Sequence, residues 1–229
     1  LSPSLRKLYP VHPRERDILG YQASPSIEAL PDGIDVAVVA TAAESAVAAV
    51  AACAARGIPF LIVVAGGFGE SGAAGANLEA RLREIATTTG SRILGPNSLG
   101  IFVPGERLDT IFVEHGDKAL GPGGGVAFIT QSGSGGVEAL GLASNTGYGM
   151  RAFVGLGNKC DLDEIDFLEY FGRDPETTCL AFYLENIEHG RRLLEMARRF
   201  TPHKPIVVLK AGRTPAGARA VSSHTGRLA

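Results

Sequence analysis

The sequence predicts an α/β protein built from two doubly wound parallel-sheet domains. Three observations predict it. Short apolar runs are continuous rather than alternating, as in parallel strands covered on both faces. Longer alanine-rich or amphipathic segments lie between those runs, so strand and helix alternate. The rhythm breaks over 105–124, "GERLDTIFVEHGDKALGPGG", which ends in a glycine and proline cluster. A boundary near 117–124 then separates a domain over 1–116 from one over 117–229. A chain of 229 residues gives each room for its own core.

The elements follow in order. "KLYPV" (7–11) reads as a first strand and "IDVAVVA" (34–40) as a second, dense in valine. The alanine-rich 44–56 is a helix ended by Gly57. "PFLIVVA" (59–65) is a strand, "ANLEARLREIATTT" (76–89) a helix ended by Gly90, and "SRILG" (91–95) a strand. In the second domain "GVAFIT" (125–130), "RAFVG" (151–155), "TCLAFYL" (178–184) and "PIVVLK" (205–210) are strands. Helices at 135–146, 163–171 and 189–200 fit between them, with Gly147 and Pro202 as stops. The opening departs from a nucleotide-type domain. "HPRERDILGY" follows the first strand where a glycine-rich turn and helix are expected, so the domain is unusual or its first unit lies outside this sequence.

Composition excludes several classes. Hydrophobic residues make up 45% and charged residues 20%, the balance of a soluble globular chain. A net charge of −2 argues against a nucleic-acid partner. The longest apolar runs, such as "FLIVVA", are too short to cross a bilayer, and "LSPSLRKLYPVHP" has no secretory apolar region. Cys53, Cys160 and Cys179 form no CxxC pair, which points to free thiols in a reducing, cytoplasmic setting. His12, His115, His189 and His203 lack metal-ligand spacing and read as surface or cap residues, so no metal site is expected.

Two glycine-rich turns stand out. In "GVAFITQSGSGGVEA" a buried strand runs into Gln131, Ser132, Gly133, Ser134, Gly135 and Gly136, and a helix follows. Exposed amides at a helix start, under the positive end of its dipole, make an anion site. The alternative is a tight turn with Ser134 as helix cap. A serine nucleophile would need G-x-S-x-G, which neither Ser132 nor Ser134 has. The second turn, "GFGESG" (67–72), formally reads G-x-G-x-x-G. Arg92 stands where a ribose-binding acid is expected, which disfavours NAD. A phosphate or pantetheine contact, or a plain loop, remain open for it. Glu185 lies at a strand's carboxyl end, the ligand edge of open α/β sheets, while Glu188 reads as a solvated acid. His224 sits among Ser222, Ser223, Thr225 and Gly226, in an uncrowded segment that a long loop can return to that edge. A histidine there can carry a phosphoryl group or be a surface residue of a frayed tail.

Six motifs in order resemble the α-type portion of NDP-forming acyl-CoA synthetases, relatives of succinyl-CoA synthetase. They are "GPNSLGIFVP" (95–104), "VAFITQSGSGG" (126–136), "FVGLGNKCDLDEIDFLEYF" (153–171), "YLENIEHGRRLLE" (183–195), "KPIVVLKAGRTPAGARA" (204–220) and "SSHTGRLA" (222–229). The resemblance implies a Rossmann-like CoA-binding domain followed by a flavodoxin-like one. It implies His224 as the phosphorylated residue, Glu185 as its supporting acid and Gln131 to Gly136 as the phosphate cradle. On the coenzyme A side it implies Pro13, Arg14, Thr41, Ala42, Ala43, Ala65, Gly66, Gly67 and Phe68. The reaction implied is acyl-CoA + ADP + phosphate ⇌ carboxylate + ATP + CoA. No ATP-grasp module is present in this sequence, so ADP/ATP and Mg2+ would come through a β-type partner subunit or domain, in a homo- or hetero-oligomer. The family's first strand and its glycine-rich CoA-phosphate turn are absent here, Ser98 replaces a cysteine, and Val137 replaces the tyrosine of succinate-specific relatives. The last change points to a short or apolar acyl group. A rival from another class is the CoA-sensing regulatory copy of this module in protein lysine acetyltransferases. Such copies lose the histidine that this chain keeps.

Overall fold

The computed structural model describes residues 7–113 and 124–212. A short hairpin of β1 (Asp17–Ile18) and β2 (Tyr21–Gln22) comes first. There follow β3 (Val36–Val39), α1 (Ala43–Ala55), β4 (Phe60–Val63), α2 (Ala73–Thr89) and β5 (Arg92–Leu94). These make a parallel sheet in the order β3-β4-β5. The chain then adds β6 (Gly100–Val103) and β7 (Leu108–Asp109), and next β8 (Val126–Thr130), α3 (Gly133–Thr146) and β9 (Met150–Gly155). It ends with α4 (Glu164–Arg173), β10 (Cys179–Leu184), α5 (Gly190–Phe200) and β11 (Ile206–Lys210). The second sheet has the order β11-β10-β8-β9-β6-β7. β8 to β11 are parallel, while β6 runs antiparallel to both β9 and β7.

The helices α1 to α5 fall in the expected segments, with α2 and α3 starting three and two residues earlier. Gly90 and Gly147 end α2 and α3 in the left-handed conformation that glycine adopts without a Cβ penalty. The Asp163 side chain accepts from the amides of Ile165 and Asp166, and Asp166 reaches back to the Asp163 amide. That capping box starts α4, whose Ile165, Leu168 and Phe171 then fall on one buried face. Burying a leucine such as Leu168 contributes about 2 kcal/mol. α4 and α5 cover one face of the second sheet, against Ala127, Ile129, Val154, Leu180 and Phe182. α3 covers the other, where Leu140 meets Phe102 and Phe153.

Several expectations are corrected. Residues 7–11 are not a strand: Val11 makes an isolated bridge to Ser24, since Pro10 has no amide to give a ladder. β6 and β7 were not anticipated, and they hydrogen-bond to the second sheet, so the first 116 residues contribute to both sheets. That sheet is therefore mixed. The edge strands are not covered on both faces: Val36, Val38, Val207 and Leu209 are exposed.

The two units share their cores. Ile62 and Leu94 of the first sheet pack with Leu156 and Ile165, while Cys160 packs with Leu61, Val63 and Ile93. The segment after β9 lies along β5: Leu162 N–H donates to Ile93 O (3.1 Å), and Ile93 N–H to Asp161 Oδ2 (2.8 Å). Arg92 pairs with Asp161 and Asp166 across the same seam.

Candidate functional site

In the parallel strands the order 9-8-10-11 is that of a flavodoxin-like sheet, and its switch point lies between β8 and β10. The chain leaves β8 for one face, into α3, and β10 for the other, into α5, which opens a crevice at their carboxyl ends. The structure brings the Gln131–Gly136 turn and Glu185 together there. Gln131 N–H donates to Tyr183 O (3.0 Å), which ties the turn to β10.

The turn's residues do different things. Ser132, not Ser134, caps α3: its Oγ accepts from Gly135 N–H at 3.2 Å. The helix starts two residues earlier than its sequence suggests, which explains the change of cap. Gly136 N–H bonds to Ser132 O within the turn. A Cβ on Gly136 would lie 2.7 Å from the Phe153 ring, so this glycine serves helix-on-sheet packing. Gly133 and Ser134 are exposed, and no partner for their amides occurs among the described residues. Those two N–H groups stand at the positive end of a 14-residue helix.

The Gln131 side chain is engaged with the turn that carries Glu185. Its Oε1 accepts from the amides of Glu185 (2.8 Å) and Asn186 (3.1 Å), and its Nε2 donates to Asn186 Oδ1 (2.6 Å). Gln131 thus ties the end of β8 to the Glu185 turn through both ends of its side-chain amide. Glu185 is 6% exposed at the end of β10. Burial, and next the charge of Glu185, raise the Tyr183 phenol above its usual value. His224 lies outside the described residues.

Residues without an assigned role in the sequence complete the site. Lys159 is buried and held in a left-handed conformation (φ 60°). Its ammonium pairs with buried Glu164 at 2.8 Å and donates to Asn186 O at 3.0 Å. Lys210 Nζ donates to Glu185 O at 2.8 Å. The nearest signal was a lysine and an acid inside the quoted "GLGNKCDLDE" motif.

On the first sheet, the 41–43 and 65–68 segments meet at the carboxyl ends of β3 and β4. A Cβ on Gly67 would come 3.3 Å from Ala43 Cβ. α1 begins at Ala42 without a side-chain cap, beside exposed Thr41. The 65–70 loop is closed by acids. Glu70 Oε1 accepts from Gly67 N–H (2.6 Å) and Phe68 N–H (3.1 Å), and Glu79 Oε2 from Gly69 N–H (3.1 Å). Asn158 Nδ2 bridges both carboxylates, at 2.5 and 2.8 Å. A phosphate would meet these charges, so the loop suits a neutral amide ligand. Phe68 is fully buried and anchors the loop. Pro13 and Arg14 stand in an exposed turn, where His12 Nδ1 accepts from the amides of Arg14 and Glu15.

Other departures have structural answers. Ser98, in place of cysteine, is buried, donates to Gly155 O (2.5 Å) and accepts from Gly100 N–H (3.0 Å). Burial pushes the Cys160 thiol up to about 12, so it packs as a protonated small hydrophobe. No helix among the described residues is long and apolar enough to cross a membrane.

A crevice with open helix-end amides and a buried acid, joined to a second α/β unit, defines a two-unit α/β protein. Sequence comparison narrows the class. Residues 5–104 match the CoA binding domain family, and residues 123–229 match the succinyl-CoA ligase like flavodoxin domain. The chain belongs to the NDP-forming acyl-CoA synthetase family, in its α-type portion. It is 36% identical to the acetate–CoA ligase [ADP-forming] II subunit alpha of Pyrococcus furiosus, over 97% of this chain and 48% of that protein. It is 37% identical to acetate–CoA ligase [ADP-forming] I of Archaeoglobus fulgidus, over 97% of this chain and 32% of that one. The dinucleotide forming acetyl-coenzyme A synthetase 1 of Ca. Korarchaeum cryptofilum, solved in complex with phosphate and ADP, superposes with a TM-score of 0.85 at 37% identity. That match covers 96% of this chain and 47% of that one. The chain thus spans half or less of the length of these relatives.

Proposed function

We propose that this chain is the α-type part of an ADP-forming acyl-CoA ligase that interconverts acyl-CoA, ADP and phosphate with carboxylate, ATP and CoA. The observation that carries the reading is the pair of open amides at Gly133 and Ser134 beside buried Glu185, at the switch point of the sheet. Phosphate oxygen attacks the thioester carbonyl, forming a C–O bond as the C–S bond breaks and CoA leaves as thiolate. An imidazole nitrogen of His224 then attacks phosphorus, and the carboxylate leaves with the P–O electrons. The N–P bond breaks when ADP takes the phosphoryl group. The α3 amides stabilise the phosphoryl charge through each transfer, a contribution of roughly 3 kcal/mol to the barrier. The Glu185 carboxylate accepts from the distal imidazole N–H and fixes the tautomer that attacks.

The coenzyme A side is read at 41–43 and 65–68. The capless N-terminus of α1 suits a diphosphate, and the acid-closed loop suits the neutral pantetheine arm. Pro13 and Arg14 are the other candidates on this side. ADP/ATP and Mg2+ belong to an ATP-grasp β-type partner, within a homo- or hetero-oligomer. The subunit names of the Pyrococcus relatives support a partner of this kind. Val137 in the α3 segment supports a short or apolar acyl group. The three free cysteines support a cytoplasmic setting. The relatives described above are ligases, which supports this reading over a regulatory CoA sensor.

The test is labelling of the assembled ligase with radiolabelled ATP. Acid-labile, base-stable label on His224, lost in His224→Ala while CoA binding persists, is the expected result. No label on the wild type, or label retained in the variant, contradicts it.

A further inference from the structure

The turn that carries Glu185 is held in an unusual way. Glu185 and Asn186 have four backbone polar groups between them, and each is bound by a side chain. Gln131 Oε1 takes both amides, at 2.8 and 3.1 Å. Lys210 Nζ holds Glu185 O at 2.8 Å, and Lys159 Nζ holds Asn186 O at 3.0 Å. The Lys159 ammonium is in turn fixed by Glu164 at 2.8 Å, with side chains 2% and 1% exposed. A buried ion pair contributes little net stability against an apolar pair of the same size. Its hydrogen bond to the carbonyl next to Glu185 is a geometric service that an apolar pair cannot give.

We propose that Lys159, through its pair with Glu164, and Lys210 are positioning residues for the phosphoryl transfer, and that Gln131, Lys159 and Lys210 together clamp the turn that presents Glu185. The clamp draws on three strand ends: Gln131 follows β8, Lys159 follows β9 and Lys210 ends β11. It sets where the Glu185 carboxylate stands relative to the α3 amides. Neither lysine touches the phosphoryl group. A shift of the carboxylate by about 1 Å costs about 100-fold in rate.

The inference rests on phosphoryl transfer at His224, and the test separates the two. Single-turnover labelling of His224 from ATP is measured in the assembled ligase. Wild type stands beside Lys159→Met/Glu164→Leu, Lys210→Met and Lys210→Arg, with CoA affinity measured in parallel. The double change replaces the pair by apolar groups of similar size, which keeps the fold. It is expected to label about 100-fold more slowly. Lys210→Met is expected to label about tenfold more slowly, from the loss of one charge-assisted hydrogen bond. Lys210→Arg restores most of that loss, and CoA affinity is unchanged throughout. A wild type that labels beside variants that label equally fast overturns the clamp alone. A wild type that takes no label overturns the phosphoryl reading and the clamp with it. If the double variant does not fold, the Lys210→Met and Lys210→Arg pair decides: a tenfold loss restored by arginine supports the clamp, and no loss overturns it.

Discussion

Two glycine-rich turns lead from strand to helix at the carboxyl edges of the two sheets, and they differ in what holds their amides. At 65–70 the N–H groups of Gly67, Phe68 and Gly69 bond to Glu70 and Glu79. At 131–136 Thr130 Oγ1 accepts from Ser132 N–H and Ser132 Oγ from Gly135 N–H, the Gln131 side chain reaches for Glu185 and Asn186, and no partner for the amides of Gly133 and Ser134 occurs among the described residues. The glycine pattern is alike in both. The acids three and ten residues further on separate a self-filled loop from one whose helix-end amides are left open.

The largest expected effect tests the packing role of glycines near each turn. A Cβ on Gly75, inside α2, would stand 1.9 Å from Phe68 O, a backbone atom. Gly75→Ala should cost about 3 kcal/mol in urea unfolding. Gly136→Ala meets side-chain atoms, the Phe153 ring edge and the Thr130 methyl, and should cost about 2 kcal/mol. Gly133→Ala has open space and should stay within about 0.5 kcal/mol of wild type. Equal costs at all three would erase the distinction between packing and open positions.

A smaller effect concerns charge. Burial alone would raise the Glu70 carboxyl, but hydrogen bonds from Asn158 and from the amides of Glu70, Gly67 and Phe68 outweigh it and hold it below its ordinary value of 4.5. A folded value below the unfolded one gives stability that is present above pH 4.5 and lost as pH falls through the folded value. Glu70→Gln should therefore lower the urea midpoint at pH 7, and the gap to wild type should narrow as the medium is acidified. A gap that widens in acid contradicts the assigned sign.

Much of this was legible in the residues because local signals sufficed. Val126–Thr130 and Cys179–Leu184 are unbroken apolar runs, and the glycines after the first announce a helix entry. Glu185 was found by its place at a strand end. Other features depend on partners far along the chain. Gly100–Val103 becomes a strand because Phe153 to Gly155 offers an antiparallel edge. Lys159 acts on a carbonyl 27 residues away, and Asn158 on a carboxylate 88 residues away. No periodicity encodes such contacts, and Pro10 misled the reading of 7–11 for the opposite reason, since an apolar run counted for more than a missing amide.

The comparison between the two turns is tested most directly by titrating the assembled ligase with inorganic phosphate while following amide resonances. The N–H signals of Gly133 and Ser134 should move with saturation, while those of Gly67 and Phe68 stay in place. Movement at Gly67 and Phe68 with none at Gly133 and Ser134 would contradict the account.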